Sequence, residues 1–300
     1  MPTAGRTVED RAQHLLGIVL TTTSAIAFST AGFFTRLIHL DAWTILFWRG
    51  IFAGLLIGGF IVWQQRRRTL AAVRAIGGPG LVAASLSTLA TIMFINAFRR
   101  TSVADVTIIT ATAPFMTATL GWLWIGERER WTTVLASIVA LFGAIVMVGG
   151  AVTEGHLIGD LLAFGMTICM AVMMLVIRKH RATPMLPAAC LSAFLCSLVV
   201  WPVANPGSAG PRDIVYLALF GTTQFGLGLL LLTLGARLVS ATETALMSAL
   251  EAPLGPFWVW LAFGEIPSPT SWIGGATIMG AVSAHILTSS RSRDSEERRS

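Results

Sequence analysis

Long apolar segments recur about every 25 residues along this chain of 300 residues, and many are long enough to cross a bilayer. A helix needs about 20 mainly apolar residues to cross the hydrocarbon core of a membrane. The composition agrees, because 54% of the residues are hydrophobic and only 12% are charged, whereas a soluble domain carries about 25% charged residues. These features exclude a cytosolic enzyme, a disulfide scaffold and a disordered chain. The sequence predicts an all-α, polytopic membrane protein.

Ten transmembrane helices are predicted from the apolar segments. Their boundaries lie near 15–38, 43–63, 79–98, 103–125, 132–150, 157–177, 186–203, 214–235, 240–263 and 271–288. The seventh span is short and ends at Trp201, and the ninth contains two carboxylates, Glu243 and Glu251.

The basic residues orient these spans. With both termini in the cytoplasm, 16 of the 21 Lys and Arg residues fall on the cytoplasmic side, as the positive-inside rule requires. We therefore expect a multi-pass membrane protein with a cytoplasmic segment at 1–14. The tail at 289–300 holds only Ser, Arg and acidic residues, so it is predicted to be disordered and cytoplasmic. Basic residues dispersed over short loops do not indicate a nucleic-acid partner.

The second half of the chain echoes the first. Arg99, Ser102 and Asp105 lead into the fourth span as Arg237, Ser240 and Glu243 lead into the ninth, each 138 positions later. The sequence thus divides into a repeat at 15–150 and a repeat at 157–288. Each repeat has five spans, an odd number, so the two repeats must have opposite orientations in the membrane. Inverted repeats of this kind are typical of secondary transporters.

Two further landmarks resemble the EamA domain of the drug/metabolite transporter superfamily. They are Pro114 followed by Gly126-Glu127, and Pro253 followed by Gly264-Glu265. The resemblance covers about residues 15–288 as two tandem EamA units. It implies an inner-membrane exporter of metabolites, with amino-acid export the best-known activity. It also implies two inverted five-helix halves around a central cavity, lined by the first, third, fourth, sixth, eighth and ninth spans.

Four side chains within the spans are candidates for substrate binding or coupling: Glu251, Arg49, Asn96 and Gln224. Ionisable groups within a membrane are costly and mark functional sites. Glu251 is a candidate for proton coupling or for pairing with a substrate amine, and its structural alternative is a pair with Arg49. Arg49 is either an anchor or a group that binds a carboxylate. Asn96 and Gln224 either join helices through hydrogen bonds or recognise the substrate.

The remaining candidates are two prolines, two acidic residues and the histidines. Pro114 and Pro253 lie in the middle of spans, where proline kinks a helix; they are either paired hinges or static kinks. Asp105 and Glu243 lie in first turns, where acids oppose the helix dipole favourably; we expect them to cap their helices, and gating is the alternative. The five histidines are scattered and have no metal-binding spacing, so we expect no metal and no cofactor.

These features together predict a secondary transporter that exports small metabolites, most plausibly amino acids, by alternating access. The expected partners are the small-molecule substrate and the lipid bilayer, with protons as a candidate coupling ion. The alternative is a proton-coupled multidrug exporter of lipophilic cations, for which Glu251 and the tryptophans would supply the site. The sequence has no nucleophile–base pair or metal constellation, so it does not predict an enzyme.

Overall fold

The computed structural model describes residues 3–66, 74–98, 100–101, 103–126, 129–148, 157–180, 185–264, 266 and 269–297. In the first repeat the helices are α1 (Thr3–Ser29), α2 (Ala31–Leu37), α3 (Ala42–Gln65), α4 (Gly77–Phe98), α5 (Val103–Ala111), α6 (Ala113–Ile125) and α7 (Trp131–Val148). In the second they are α8 (Leu157–Lys179), α9 (Leu186–Val200), α10 (Pro211–Leu219), α11 (Gly228–Gly235), α12 (Ala241–Ser248), α13 (Glu251–Phe263) and α14 (Pro269–Glu297). A 3-10 turn, Pro206–Ser208, precedes α10, and a π-helix, Phe220–Leu227, joins α10 to α11.

The all-α, polytopic architecture predicted from the sequence is confirmed. Six helical stretches within the described ranges are long and apolar enough to cross a membrane: Ala12–Leu37, Ala42–Gln65, Gly77–Phe94, Leu157–Lys179, Pro211–Gly235 and Ala241–Phe263. Shorter apolar helices cover Trp131–Met147 and Leu186–Val200. Together with the rod formed by α5 and α6 and the rod formed by α14, the described helices form ten rods.

The fourth and ninth rods are each broken into two half-helices. The fourth breaks at Thr112, between α5 and α6, and the ninth breaks between α12 and α13. Pro114 is the second residue of α6 and Pro253 the third of α13. Proline is tolerated in a first turn because the N–H that it lacks would have no partner there. The two prolines therefore lie in the first turns of half-helices, and their role as hinges or static kinks stays a prediction.

The two broken rods touch at one end of the bundle. We call the end where His14, Glu243 and His285 meet the terminal face, and the other end the opposite face. In the half nearer the terminal face, α12 packs against both α6 and α8. Small residues of α12, Ala241 and Ala245, are buried there against Met174 and Leu175 of α8, with Leu120 of α6 beside them. This apolar contact joins the two broken rods at the terminal face.

The halves nearer the opposite face are separated. Among the described residues, α5 and α13 form no contact comparable to that between α6 and α12. α13 packs instead on α1, α2 and α14, and it contains no buried residue on any side. A helix with lipid on one side and protein on the other would have a buried stripe. α13 is therefore less tightly packed on its neighbours than α12.

The C-terminal segment differs from its prediction. Disorder was predicted for 289–300, but α14 continues as helix through Glu297. The chain contains neither Gly nor Pro between Ala281 and Glu297. Because an existing helix gains a hydrogen bond for each residue added, without a new nucleation step, it extends beyond its apolar part.

Candidate functional site

The most deeply buried cation of the described region is Arg49 of α3. Its side chain is 8% exposed, and its Cζ atom lies 4.4 Å from the centroid of the Phe225 ring and 5.5 Å from that of Phe220. Aromatic faces attract a guanidinium electrostatically. No described carboxylate pairs with Arg49, and its Nε has no hydrogen-bond partner. A buried charge is costly unless it is paired, so this guanidinium is suited to receive an anion.

The π-helix places the aromatic rings beside Arg49. Phe220, Gln224 and Phe225 all lie within Phe220–Leu227, and α3 packs along this segment. Gly221 permits the approach, because a Cβ atom there would lie only 2.8 Å from the backbone oxygen of Arg49. π-helical turns are rare and frequently occur at functional sites.

Gln224 supplies an unsatisfied acceptor in the same region. It is 4% exposed, and its Nε2 donates to the backbone oxygen of Phe28 at 3.2 Å, which ties the π-helix to α1. Its Oε1 has no hydrogen-bond partner. Of the predicted residues, Arg49 thus lies against the Phe225 ring, and Gln224 belongs to the same π-helix as that ring. One offers an unpaired donor and the other an unpaired acceptor.

Glu251 is separate from this pair. It is the first residue of α13, at the break in the ninth rod, and is half-buried. The structure shows no ion pair between Glu251 and Arg49, so the structural pairing considered for them is absent. A carboxylate at a helix N-terminus is stabilised by the helix dipole. Glu251 forms no hydrogen bond or ion pair with any other described residue, so its carboxylate is available to a ligand or a proton.

Asn96 satisfies part of its amide within its own helix. Its Nδ2 donates to the backbone oxygen of Ile92, one turn earlier in α4, at 2.9 Å. The side chain is half-buried. The bond that the structure gives to Asn96 is therefore not the interhelical bond considered from the sequence.

The structure also shows a polar cluster that the sequence did not predict. His14 Nε2 lies 3.2 Å and His285 Nε2 lies 3.5 Å from the same oxygen, Oε1 of Glu243. Ser240 and Glu243 form a capping box at the start of α12, so the predicted capping role of Glu243 is confirmed. The contacts with two histidines are additional. Sequence spacing carries no signal for them, because His14 and Glu243 are 229 positions apart.

Comparisons with known proteins agree with this architecture. The sequence profile of the EamA-like transporter family matches residues 15–149 and 157–286. Over 185 residues the chain is 28% identical to the uncharacterized transporter YdfC of Bacillus subtilis (strain 168), covering 58% of this chain and 60% of that protein. It is 23% identical over 294 residues to solute carrier family 35 member G1 of Mus musculus, covering 87% of this chain and 75% of that protein.

A solved structure has the same fold. This protein crystal structure superposes on the present chain with a TM-score of 0.78 at 16% sequence identity. The match covers 92% of this chain and 97% of that chain. At this level of identity the likeness concerns the fold alone.

Proposed function

The chain belongs to the EamA-like transporter family, and we propose that it exports small metabolites, most plausibly amino acids, across the inner membrane by alternating access. The observation that carries the substrate class is the pair formed by Arg49 and Gln224. An amino acid has a carboxylate that needs donors and an ammonium group that needs acceptors. The unpaired Nε of Arg49 and the unpaired Oε1 of Gln224 are complementary to these two groups.

Burial strengthens this recognition. Both side chains are more than nine-tenths buried, and charge-assisted hydrogen bonds are stronger where water is excluded. Phe220 and Phe225 limit the space around the guanidinium and offer apolar contacts to a substrate side chain.

The two broken rods support alternating access. In an inverted repeat, the contact between α6 and α12 near the terminal face has a counterpart between α5 and α13 near the opposite face. Among the described residues, only the first contact is extensive. The positive-inside rule favours a cytoplasmic terminal face, and we propose that this arrangement is the state that opens to the outside. We propose that Pro114 and Pro253 mark the hinges at which the half-helices change their angle.

Coupling to protons is the proposed role of Glu251. It is a half-buried carboxylate without a described partner at the break of the ninth rod. A Glu251→Gln variant removes the titratable group but keeps the size of the side chain. We expect it to lose transport driven by a pH gradient and to retain exchange of substrate; an unchanged response to the gradient would contradict this role.

One observation favours the alternative substrate class, lipophilic cations. The unpaired carboxylate of Glu251 begins a helix that carries Phe257 and Trp258, whose rings are in edge contact. A carboxylate and aromatic rings on the same helix are groups that suit an organic cation. In this alternative, Arg49 would have only a structural role.

The experiment that separates the two classes is transport by purified protein in proteoliposomes. We would measure uptake of labelled amino acids and competition by their decarboxylated and deaminated analogues. The proposal predicts protein-dependent uptake and weak competition by amines that lack the carboxylate. Strong competition by lipophilic cations, without uptake of any amino acid, would favour the alternative.

An Arg49→Gln variant tests the site itself. Loss of a hydrogen bond to a charged group costs about 1.5–3 kcal/mol, so uptake at low substrate concentration should fall roughly tenfold to a hundredfold. Arg49→Lys keeps the charge and should keep part of the activity. Arg212→Gln, at an exposed position of α10, is the matched control and should transport normally. Equal uptake by Arg49→Gln and wild type would contradict the assignment.

A further inference from the structure

The acid–histidine cluster, formed by His14, Glu243 and His285, lies outside the proposed substrate site. It joins three rods at the terminal face, because His14 belongs to α1, Glu243 to α12 and His285 to α14. The three residues are 7%, 9% and 2% exposed. Such a cluster within a largely apolar bundle requires a reason, since burying polar groups is costly.

The cluster is next to the contact that closes the terminal face. Glu243 is the third residue of α12, whose next turn carries Ala245 into the contact with α6 and α8. Two hydrogen bonds hold Glu243 in place: Ser240 N donates to its Oε2 at 3.0 Å, and its own backbone N–H donates to Ser240 Oγ at 3.0 Å. Because both bonds lie within the first turn of α12, any movement of Glu243 moves the beginning of that helix.

The charges around the cluster are defined by the neighbouring elements. Glu129, in the connection before α7, accepts a hydrogen bond from Ser240 Oγ at 3.2 Å. Arg178 of α8 donates to the backbone oxygen of Arg237, which precedes α12, at 3.4 Å. These groups surround the start of α12. Among the residues whose side chains the structure describes, His14 and His285 lie within ion-pair distance of Glu243.

Histidine is the side chain that ordinarily changes charge between pH 5 and 8. A neutral histidine donates one ordinary hydrogen bond to a carboxylate, whereas a protonated histidine forms a stronger, charge-assisted one. Protonation therefore strengthens the links from Glu243 to α1 and α14. When α12 moves away and water enters, the same charges are solvated and the links are lost.

We propose that the acid–histidine cluster is a proton-operated lock, which holds the terminal face closed when its histidines are protonated and releases α12 when they are neutral. The sign follows from the geometry: in the closed arrangement both histidines lie within ion-pair distance of Glu243, so a positive charge on them stabilises closure. Lower pH favours closure, and closure is lost as the pH rises. This inference rests on the alternating access proposed above, but its test requires no substrate.

The test measures the accessibility of the closing contact. A single cysteine is introduced as Ala245→Cys, at a position 3% exposed in the contact between α12 and α8. Cys169, Cys190 and Cys196 are replaced beforehand by alanine. The rate of maleimide labelling is measured in full-length protein in liposomes at pH values between 5.5 and 8. Gln64→Cys, at an exposed position of α3, gives the intrinsic pH dependence of the thiol reaction.

After division by the rate at Gln64→Cys, labelling at Ala245→Cys should rise with pH by about tenfold, the factor that corresponds to about 1.4 kcal/mol. The double substitution His14→Gln with His285→Gln should abolish this rise. The matched control is His180→Gln, a half-buried histidine next to the end of α8, and it should retain the rise.

Two outcomes would overturn the lock. One is normalised labelling that does not depend on pH in the parent protein, which is decisive even if the double variant does not fold. The other is a rise that persists in the double variant. Glu243→Gln provides a second route to the same loss of pH dependence. Because no transport is measured, failure of the lock leaves the assignment of Arg49 and Gln224 to substrate binding intact.

Discussion

The two halves of the ninth rod, α12 and α13, differ in how tightly they are packed. α12, near the terminal face, buries seven of its eight residues and begins with a capping box. α13, near the opposite face, buries none of its residues, although both halves come from one apolar segment. Tight packing with small side chains fixes α12 in place, whereas α13 packs less tightly on its neighbours. The comparison indicates that the ninth rod is packed more tightly near the terminal face. We expect it to move more freely near the opposite face.

The largest difference between the halves should appear when their carboxylates are removed. Glu243→Ala leaves His14 and His285 without their acceptor and removes half of a capping box. Loss of a cap costs about 1 kcal/mol, and leaving a buried polar group unsatisfied costs about 1–3 kcal/mol. The free energy of unfolding in detergent should therefore fall by roughly 2–4 kcal/mol.

The control for that variant is Glu251→Ala, which removes the carboxylate of α13. Glu251 has no described partner, so the variant should unfold within about 0.5 kcal/mol of wild type. Equal losses in the free energy of unfolding for Glu243→Ala and Glu251→Ala would contradict the difference described between α12 and α13. Denaturant unfolding followed by tryptophan fluorescence is the measurement.

Two glycines extend the comparison of packing from the ninth rod to α11. A Cβ atom at Gly235 of α11 would lie 2.7 Å from Thr21 Cγ2 and 3.0 Å from Thr21 N, whereas one at Gly255 of α13 would meet only Ser29 O, at 3.9 Å. Forcing a methyl group into a packed contact costs about 1–3 kcal/mol. Gly235→Ala should lower the melting temperature, and Gly255→Ala should leave it unchanged or raise it slightly. A larger loss of melting temperature for Gly255→Ala than for Gly235→Ala would contradict the packing described for these two helices.

One hydrogen bond links α13 to the break between α1 and α2. Trp258 Nε1 donates to Ser29 Oγ at 2.8 Å. Trp258→Phe and Ser29→Ala should each destabilise the protein by about 1 kcal/mol. The double variant should lose little more than either single variant, because each removes the same bond. Additive losses in this double-mutant cycle would show that the bond contributes little.

The smallest effect concerns Asp41, which caps α3 at the opposite face. Its side chain accepts hydrogen bonds from the backbone N–H groups of Trp43 and Thr44, both at 3.0 Å. Partial burial acts to raise the pKa of Asp41, but hydrogen bonds from Thr44 and Trp43 outweigh it and leave the pKa below its ordinary value.

A lowered pKa means that this cap stabilises the fold above the ordinary pKa of aspartate, and that the stabilisation is lost as the pH falls through the lowered value. Asp41→Asn should therefore reduce the fall in stability below about pH 4 and change little at neutral pH. An identical acid response in the variant would show that Asp41 does not contribute to it.

The sequence predicted the architecture because apolar runs and basic loops are strong local signals. It also located the breaks, since Pro114 and Pro253 lie in the first turns of α6 and α13. It could not show that these prolines begin half-helices, because that depends on which neighbouring helices hold each half.

The site was predicted only in part, for related reasons. A π-helix has no recognisable sequence pattern, so the rings beside Arg49 could not be foreseen. The contacts of Glu243 with His14 and His285 bring together residues from both ends of the chain, and no local spacing reports them. The helix through 289–297 continues from a stable helix, which composition alone does not reveal.

The measurement that tests the account most directly is transport by a protein locked at the terminal face. Leu120→Cys of α6 and Ala245→Cys of α12 belong to one apolar cluster and are to be joined by a short reversible cross-linker. A matched pair, Ile108→Cys of α5 and Phe257→Cys of α13, lies on the separated halves. Uptake in proteoliposomes is then measured before and after reduction of the link.

Alternating access predicts that the first pair links readily, that uptake stops, and that a reductant restores it. The second pair should link poorly in the state described, because its helices are apart. Full uptake by protein with the first link intact would contradict the claim that α6 and α12 must separate for transport.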